Sequence, residues 1–201
     1  MAGKETVEQT KLAFDFIEKL YFETSYLIKE IEGILRQESE EFVIGKTGGY
    51  QIVAKSSNGL DYVNQWLMRK LAVFFCPRAM TKVERGMTNT PITNELKVIY
   101  VRIILSGENV TEPQIWSGPL YNMAVKNEKY FKKFENVMGF LEYNEDRVFQ
   151  TIANIDYEDP NIKFMGKLLI NHLYDITDSD ELVAKIIRPA LEEFRQLQHM
   201  A

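Results

Sequence analysis

The run from Asn94 to Ser106, NELKVIYVRIILS, constrains the fold of this chain more than any other stretch. One alternation carries Ile99, Val101, Ile103 and Leu105; the other carries Val98, Tyr100 and Ile104, with Arg102 among them. Neither set is polar enough to lie against water along its length, so the pattern predicts a central strand from Leu96 to Leu105 covered on both faces. Such a strand demands a sheet with helices or a partner packed on each side. The class that follows is α+β: a mainly antiparallel sheet of four to five strands, a long N-terminal helix and a helical C-terminal half, with residues 1–201 as a single domain.

The helix is the second constraint. From Glu5 to Gln37 the apolar positions Ala13, Phe14, Ile17, Leu20, Tyr21, Leu27, Ile28, Ile31, Ile34 and Leu35 keep a sustained three-four spacing, with no proline. At 1.5 Å per residue it spans roughly 48 Å, whereas a globule of this length is only about 40 Å across. The helix must bend or project. One outcome is a helix lying across the sheet of its own chain, with the C-terminal helices covering its seam; a projecting seam through Leu27, Ile28, Ile31, Ile34 and Leu35 predicts self-association instead, most simply a homodimer.

The remaining elements follow from turn chemistry. Phe42 to Lys46 and Tyr50 to Lys55 read as strands of an antiparallel meander around Thr47-Gly48-Gly49, and Asn58-Gly59 as a tight turn. Residues 60–76 fit helix or strand; the need of the central strand for an antiparallel neighbour favours strand. Residues 78–94 read as a polar loop. Glu112 to Tyr121 reads as an edge strand, because Pro113 and Pro119 cannot donate to a ladder. Helices are expected over Val125 to Leu141, briefly from Asn144 or Glu145 to Asn154, from Asp159-Pro160 through Leu173, and from Thr177–Asp180 through Phe194, where Pro189 should kink or divide the last one.

Chemistry is thinly marked. Cys76 is the only cysteine, which excludes an intramolecular disulfide and points to a reducing interior. The opening MAGKETVEQTK lacks the apolar core of a signal peptide, and no stretch is apolar enough to span a bilayer; the expected location is cytoplasmic, away from membranes. The net charge of −5 disfavours nucleic acid as a partner. Gly45-Lys46-Thr47 echoes a phosphate-binding loop, but Glu40 occupies the position where that loop needs glycine.

Four residues are candidates for catalysis. Glu95-Leu96-Lys97 resembles the Glu-x-Lys element of magnesium-dependent nucleases of the restriction-endonuclease type, a resemblance that implies Asp61 as a second metal-binding acid. His172 shares an apolar face with Leu168 and Leu169, and a structural role outweighs a role as base or ligand. The acids Asp175, Asp178, Asp180 and Glu181 are explained by helix capping. Arg69, Lys70, Arg78, Lys82, Arg85, Lys97 and Arg102 form a loose positive group, read as solvated charge ahead of an anion surface. Tyr50, Tyr62, Trp66, Phe74, Phe75, Tyr100, Trp116 and Tyr121 fall in the proposed sheet and read as core, or else as the lining of a small-molecule pocket in a sensory-type module. The sequence therefore favours a non-catalytic interaction or regulatory protein that self-associates, without cofactor or metal, over the sensory module and over the nuclease.

Overall fold

A computed structural model describes residues 2–45, 51–52, 67–84, 87–93, 95–107, 110–127, 129, 131 and 134–197. The elements in order are α1 (Ala2–Leu35), β1 (Val43–Ile44), β2 (Gln51–Ile52), β3 (Lys70–Cys76), β4 (Lys82–Glu84), β5 (Met87–Asn89), β6 (Val98–Ile104), β7 (Gln114–Val125), α2 (Phe134–Tyr143), α3 (Glu145–Val148), β8 (Ile155–Glu158), β9 (Ile162–Gly166), β10 (Leu169–His172), α4 (Ser179–Leu182) and α5 (Arg188–Gln196). All the strands except β4 and β5 join one antiparallel sheet, with β6 between β3 and β7. This is the α+β fold the sequence implies, and every residue of β6 is buried.

Three layers explain that burial. Leu71, Val73, Phe75, Ile99, Val101, Ile103 and Ile115 point to one side, where Ile28, Ile31 and Leu35 of α1 and Leu182, Ile186, Leu191 and Phe194 of the C-terminal run cover them. Ala72, Phe74, Val98, Tyr100, Trp116 and Leu120 point to the other, under Val137, Met138 and Leu141 of α2 and Phe149 beyond α3. The seam Ile28–Ile31–Leu35 thus lies in the core of its own chain, the same-chain cover that was one of the two outcomes open in the sequence.

Several local expectations change. β1 and β2 do not pair with each other as a meander; both pair with β3, at Phe75–Cys76 and at Leu71–Ala72, as two pieces of one edge. The Thr47-Gly48-Gly49 and Asn58-Gly59 turns lie outside the described residues, as do residues 60–66 of the ambiguous stretch, whose remainder forms β3 as the pairing argument requires. The polar loop contains a small hairpin, β4 with β5.

β7 is not an edge strand. It pairs with β6 on one side and with β9 and β10 in succession on the other. Pro119 is tolerated because it stands at the handover between those two partners: Ser117 still pairs with Leu169, and Leu120 already pairs with Gly166. The Pro119 carbonyl accepts the Lys167 N–H at 3.1 Å, so the missing donor faces the connection 167–168 rather than β6. Gly118 meets a close approach there. A β-carbon on it would sit 2.0 Å from the Lys167 carbonyl oxygen.

The stretch 159–173 is not a helix. Asp159 does cap, but its Oδ1 accepts the N–H groups of Asn161 and Ile162 inside a hairpin turn between β8 and β9. The helix expected from Val125 is shorter as well, since Val125 ends β7 and α2 starts at Phe134. Pro189 divides the final helix as expected. The segment Val183–Ile187 is a π-helical turn; the Lys185 carbonyl, which Pro189 cannot serve, accepts from Asn171 Nδ2 of the sheet at 3.2 Å, and Ser117 Oγ donates to Ile186 O at 3.3 Å.

Candidate functional site

The sequence-nominated residues do not converge among those described. Glu95 is exposed in a turn ahead of β6. Lys97 reaches away from it, and its Nζ donates to the Leu197 carbonyl at 2.9 Å, capping the C-terminal helix end where a cation complements the helix dipole. Asp61 lies outside the described residues. His172 is exposed at the end of β10, its Nδ1 3.2 Å from Glu112 Oε2. Of the four acids around the start of α4, two form the caps expected: Asp178 accepts the Glu181 N–H at 2.9 Å, and Glu181 accepts from the Thr177 N–H at 2.8 Å. Among the described residues no group of three or more His, Cys, Asp or Glu is arranged to hold a metal ion.

The described members of the positive group differ in exposure, and Arg85 lies outside the described residues. Arg78 and Lys82 are exposed, but Arg102 is buried at 1% and Lys70 is half-buried beside it. Around Arg102 lies the one buried ionic cluster among the described residues. Its Nε donates to Glu142 Oε2 at 3.0 Å, its Nη2 donates to Glu145, the Tyr100 hydroxyl donates to Glu142, and Lys70 donates to Glu145. The guanidinium lies 5.0 Å from the Trp116 ring centre and 4.9 Å from that of Phe149, a desolvated cation against both rings.

Secondary structure aims these groups. Tyr100 and Arg102 are two apart on β6 and share a face; Trp116 pairs with Arg102 across to β7. Glu142 follows Val137, Met138 and Leu141 on the buried face of α2, and Glu145 opens α3. The carboxyl of Glu142 is held above the ordinary range because burial outweighs the pull of Arg102. Glu145 also loses solvation, yet its bonds to Lys70 and its contact with Arg102 outweigh that and lower it. Burial drives the Tyr100 phenol upward, reinforced by Glu142. Every member is partnered, so the cluster ties the α2–α3 layer to the sheet. Reading the sequence alone missed Glu142 and Glu145; the signal was a glutamate on the apolar stripe of a helix, opposite an arginine on an apolar strand.

Among the described aromatic residues several pack on one another. Phe74 lies 5.0 Å from Tyr100, Tyr100 stacks on Phe149 at 5.8 Å, and Trp116 meets Phe149 edge-on at 5.7 Å. Phe75 faces the opposite layer and Tyr121 is half-buried; Tyr50, Tyr62 and Trp66 lie outside the described residues.

The first half of α1 is exposed. The helix has 34 residues; Ile17 and Leu20 are half-buried, and the Tyr21 hydroxyl donates to Met68 O at 3.1 Å. Residues 5–16 are all exposed, a projecting arm of nearly 30 Å at 1.5 Å per residue when the whole stretch before Tyr21 is included. Phe14 and Phe16 stand 65% and 63% exposed. No helix among the described residues is long and apolar enough to cross a membrane. No family model, curated protein or solved structure matches this chain.

Proposed function

We propose that the protein is a non-catalytic association module whose working surface is the projecting half of α1 and whose partner is a second copy of itself. The observation that carries this reading is the pair Val7 and Phe14, two turns apart on one face of α1 and 68% and 65% exposed. The ionic cluster supports the reading from the other direction, since its fully partnered groups suit a rigid body that presents an arm.

Light scattering across a concentration range tests it. The wild type is expected to have the mass of a dimer, and Phe14→Glu with Ile17→Glu the mass of a monomer with unchanged circular dichroism. A wild type that stays monomeric at high concentration overturns the proposal.

A further inference from the structure

Beside its buried seam, α1 carries a second stripe that is open along its whole length. At 100° per residue, Val7, Lys11, Phe14, Glu18, Phe22 and Ser25 fall within about 80° of one another, and all six are exposed. Thr24, Ile28, Ile31 and Leu35, which are buried, centre about 110° away round the helix. The stripe therefore runs on past the point where the helix docks, and Phe22 stays 56% exposed beside buried Thr24. We infer that a second copy binds along this stripe, with the two α1 helices antiparallel, Lys11 of each copy against Glu18 of the other, and Phe14 of both copies meeting at the two-fold axis. The inference rests on the self-association reading above and adds its face, orientation and register.

Charge decides the orientation. Lys11 and Glu18 stand in the middle of the stripe, so a parallel pair would set Lys11 against Lys11 and Glu18 against Glu18. Turning one helix round sets each charge against its opposite, and the two-fold axis makes that pair twice. The same register lays Val7 of each copy on Phe22 of the other; with Phe14, each copy brings apolar side chains that are 68%, 56% and 65% exposed in the single chain. Asp15 nears its counterpart beside the axis, where Lys11 and Lys19 of its own helix lie one turn to either side. The pair makes no use of the buried seam. Where the tip of one arm passes Thr24 and Ile28 of the other helix it meets Phe22, Ser25 and Tyr26, which are exposed, while Thr24 and Ile28 turn into their own core. Both globules lie off the contact face, at opposite ends of the helix pair, so neither occupies the other's place. At about 200 Å² for a large side chain, the exposed parts of the three give roughly 400 Å² per copy, which puts the pair in the class of small, reversible interfaces.

Sedimentation equilibrium of the full chain over a concentration range tests the face and the register separately. Lys11→Glu alone and Glu18→Lys alone are each expected to weaken the dimer about tenfold at low ionic strength, with a smaller effect in high salt. Lys11→Glu with Glu18→Lys in one chain restores the wild-type affinity, because every charge again meets its opposite. Phe22→Glu is expected to leave a monomer. Phe16→Glu, 63% exposed in the wild type but about 160° round the helix from Phe14, keeps the dimer. If the wild type is a dimer, indifference to both single reversals or to Phe22→Glu, dissociation by Phe16→Glu, or a double reversal that fails to restore affinity overturns this face and register and leaves self-association standing. A monomeric wild type overturns both. Because all four positions are exposed, the variants should keep the circular dichroism of the wild type.

Discussion

Replacing Arg102 with methionine is expected to destabilise the protein in a pH-dependent way. The substitution keeps most of the side-chain length between Trp116 and Phe149 but removes the charge, and Glu142, whose side chain is 0% exposed, then has no cation. A carboxylate without a partner in that place takes up a proton. The unfolded chain holds the same group at an ordinary pKa of 4.5, so keeping it neutral costs about 1.4 kcal/mol for each pH unit above that value. At pH 7 this amounts to about 3 kcal/mol, matching the 3 to 5 kcal/mol typical of breaking a buried pair. The sign is fixed by the direction of the shift. A carboxyl whose folded pKa is raised contributes most below its unfolded pKa and loses that contribution as pH rises. The wild-type Glu142 is raised too, but less, because Arg102 pulls against burial. The stability gap between wild type and variant is therefore smallest near pH 5 and widens towards pH 8. Urea unfolding at several pH values measures it. Adding Glu142→Gln to Arg102→Met removes the titrating group while keeping an acceptor for the Tyr100 hydroxyl, so the gap should shrink and become flat with pH. A gap for Arg102→Met that is flat from pH 5 to 8, or absent, refutes the reasoning.

Glu40 is held down at about 2 by its bonds to Arg195, whose Nε and Nη2 reach its two oxygens at 2.9 and 2.8 Å. Glu40→Gln should cost about 1 kcal/mol at pH 7, a figure reduced from the full shift because Arg195 is partly solvated; as pH falls from 4.5 towards 2 the wild type loses this contribution and the two denaturation curves converge. Gly118→Ala should cost about 3 kcal/mol, because the added carbon meets backbone oxygen of 167 and not a movable side chain; a thermal midpoint unchanged from wild type would show that the β7 handover gives way easily.

Where local chemistry was decisive, the sequence could be read directly. The two apolar faces of residues 98–104 require cover on both sides, and the three-layer structure supplies it. Asp178 and Glu181 cap α4 with the spacing that capping needs, and Pro189 stands in the first turn of α5, just after the π-helical turn Val183–Ile187. Residues 162–173 misled because they satisfy two periods at once. Ile162, Met165, Leu168 and Leu169 fit a helical stripe, yet Ile162, Phe164, Gly166 and Leu168 are the buried set, alternating by two. The sheet decided between them, since β7 offered an unpaired side and backbone donors there outweigh a weak helical preference.

By itself the sequence determined the class of fold, the length of α1 and the need for a sheet buried on both faces, because apolar periodicity and backbone reach are properties of the chain alone. It also held the seam of α1 in full. Which part of that seam the chain would cover itself was decided only in three dimensions: the C-terminal helix and the sheet close over Ile28, Ile31 and Leu35, and their extent ends near Tyr21. The same holds for Arg102. Its burial depends on Glu142 and Glu145, about forty residues further along the chain, and no local pattern states that a helix will bring two carboxylates over one guanidinium. Burying a charge is tolerable only when its counter-charges arrive with it, and that condition is met by packing, not by composition.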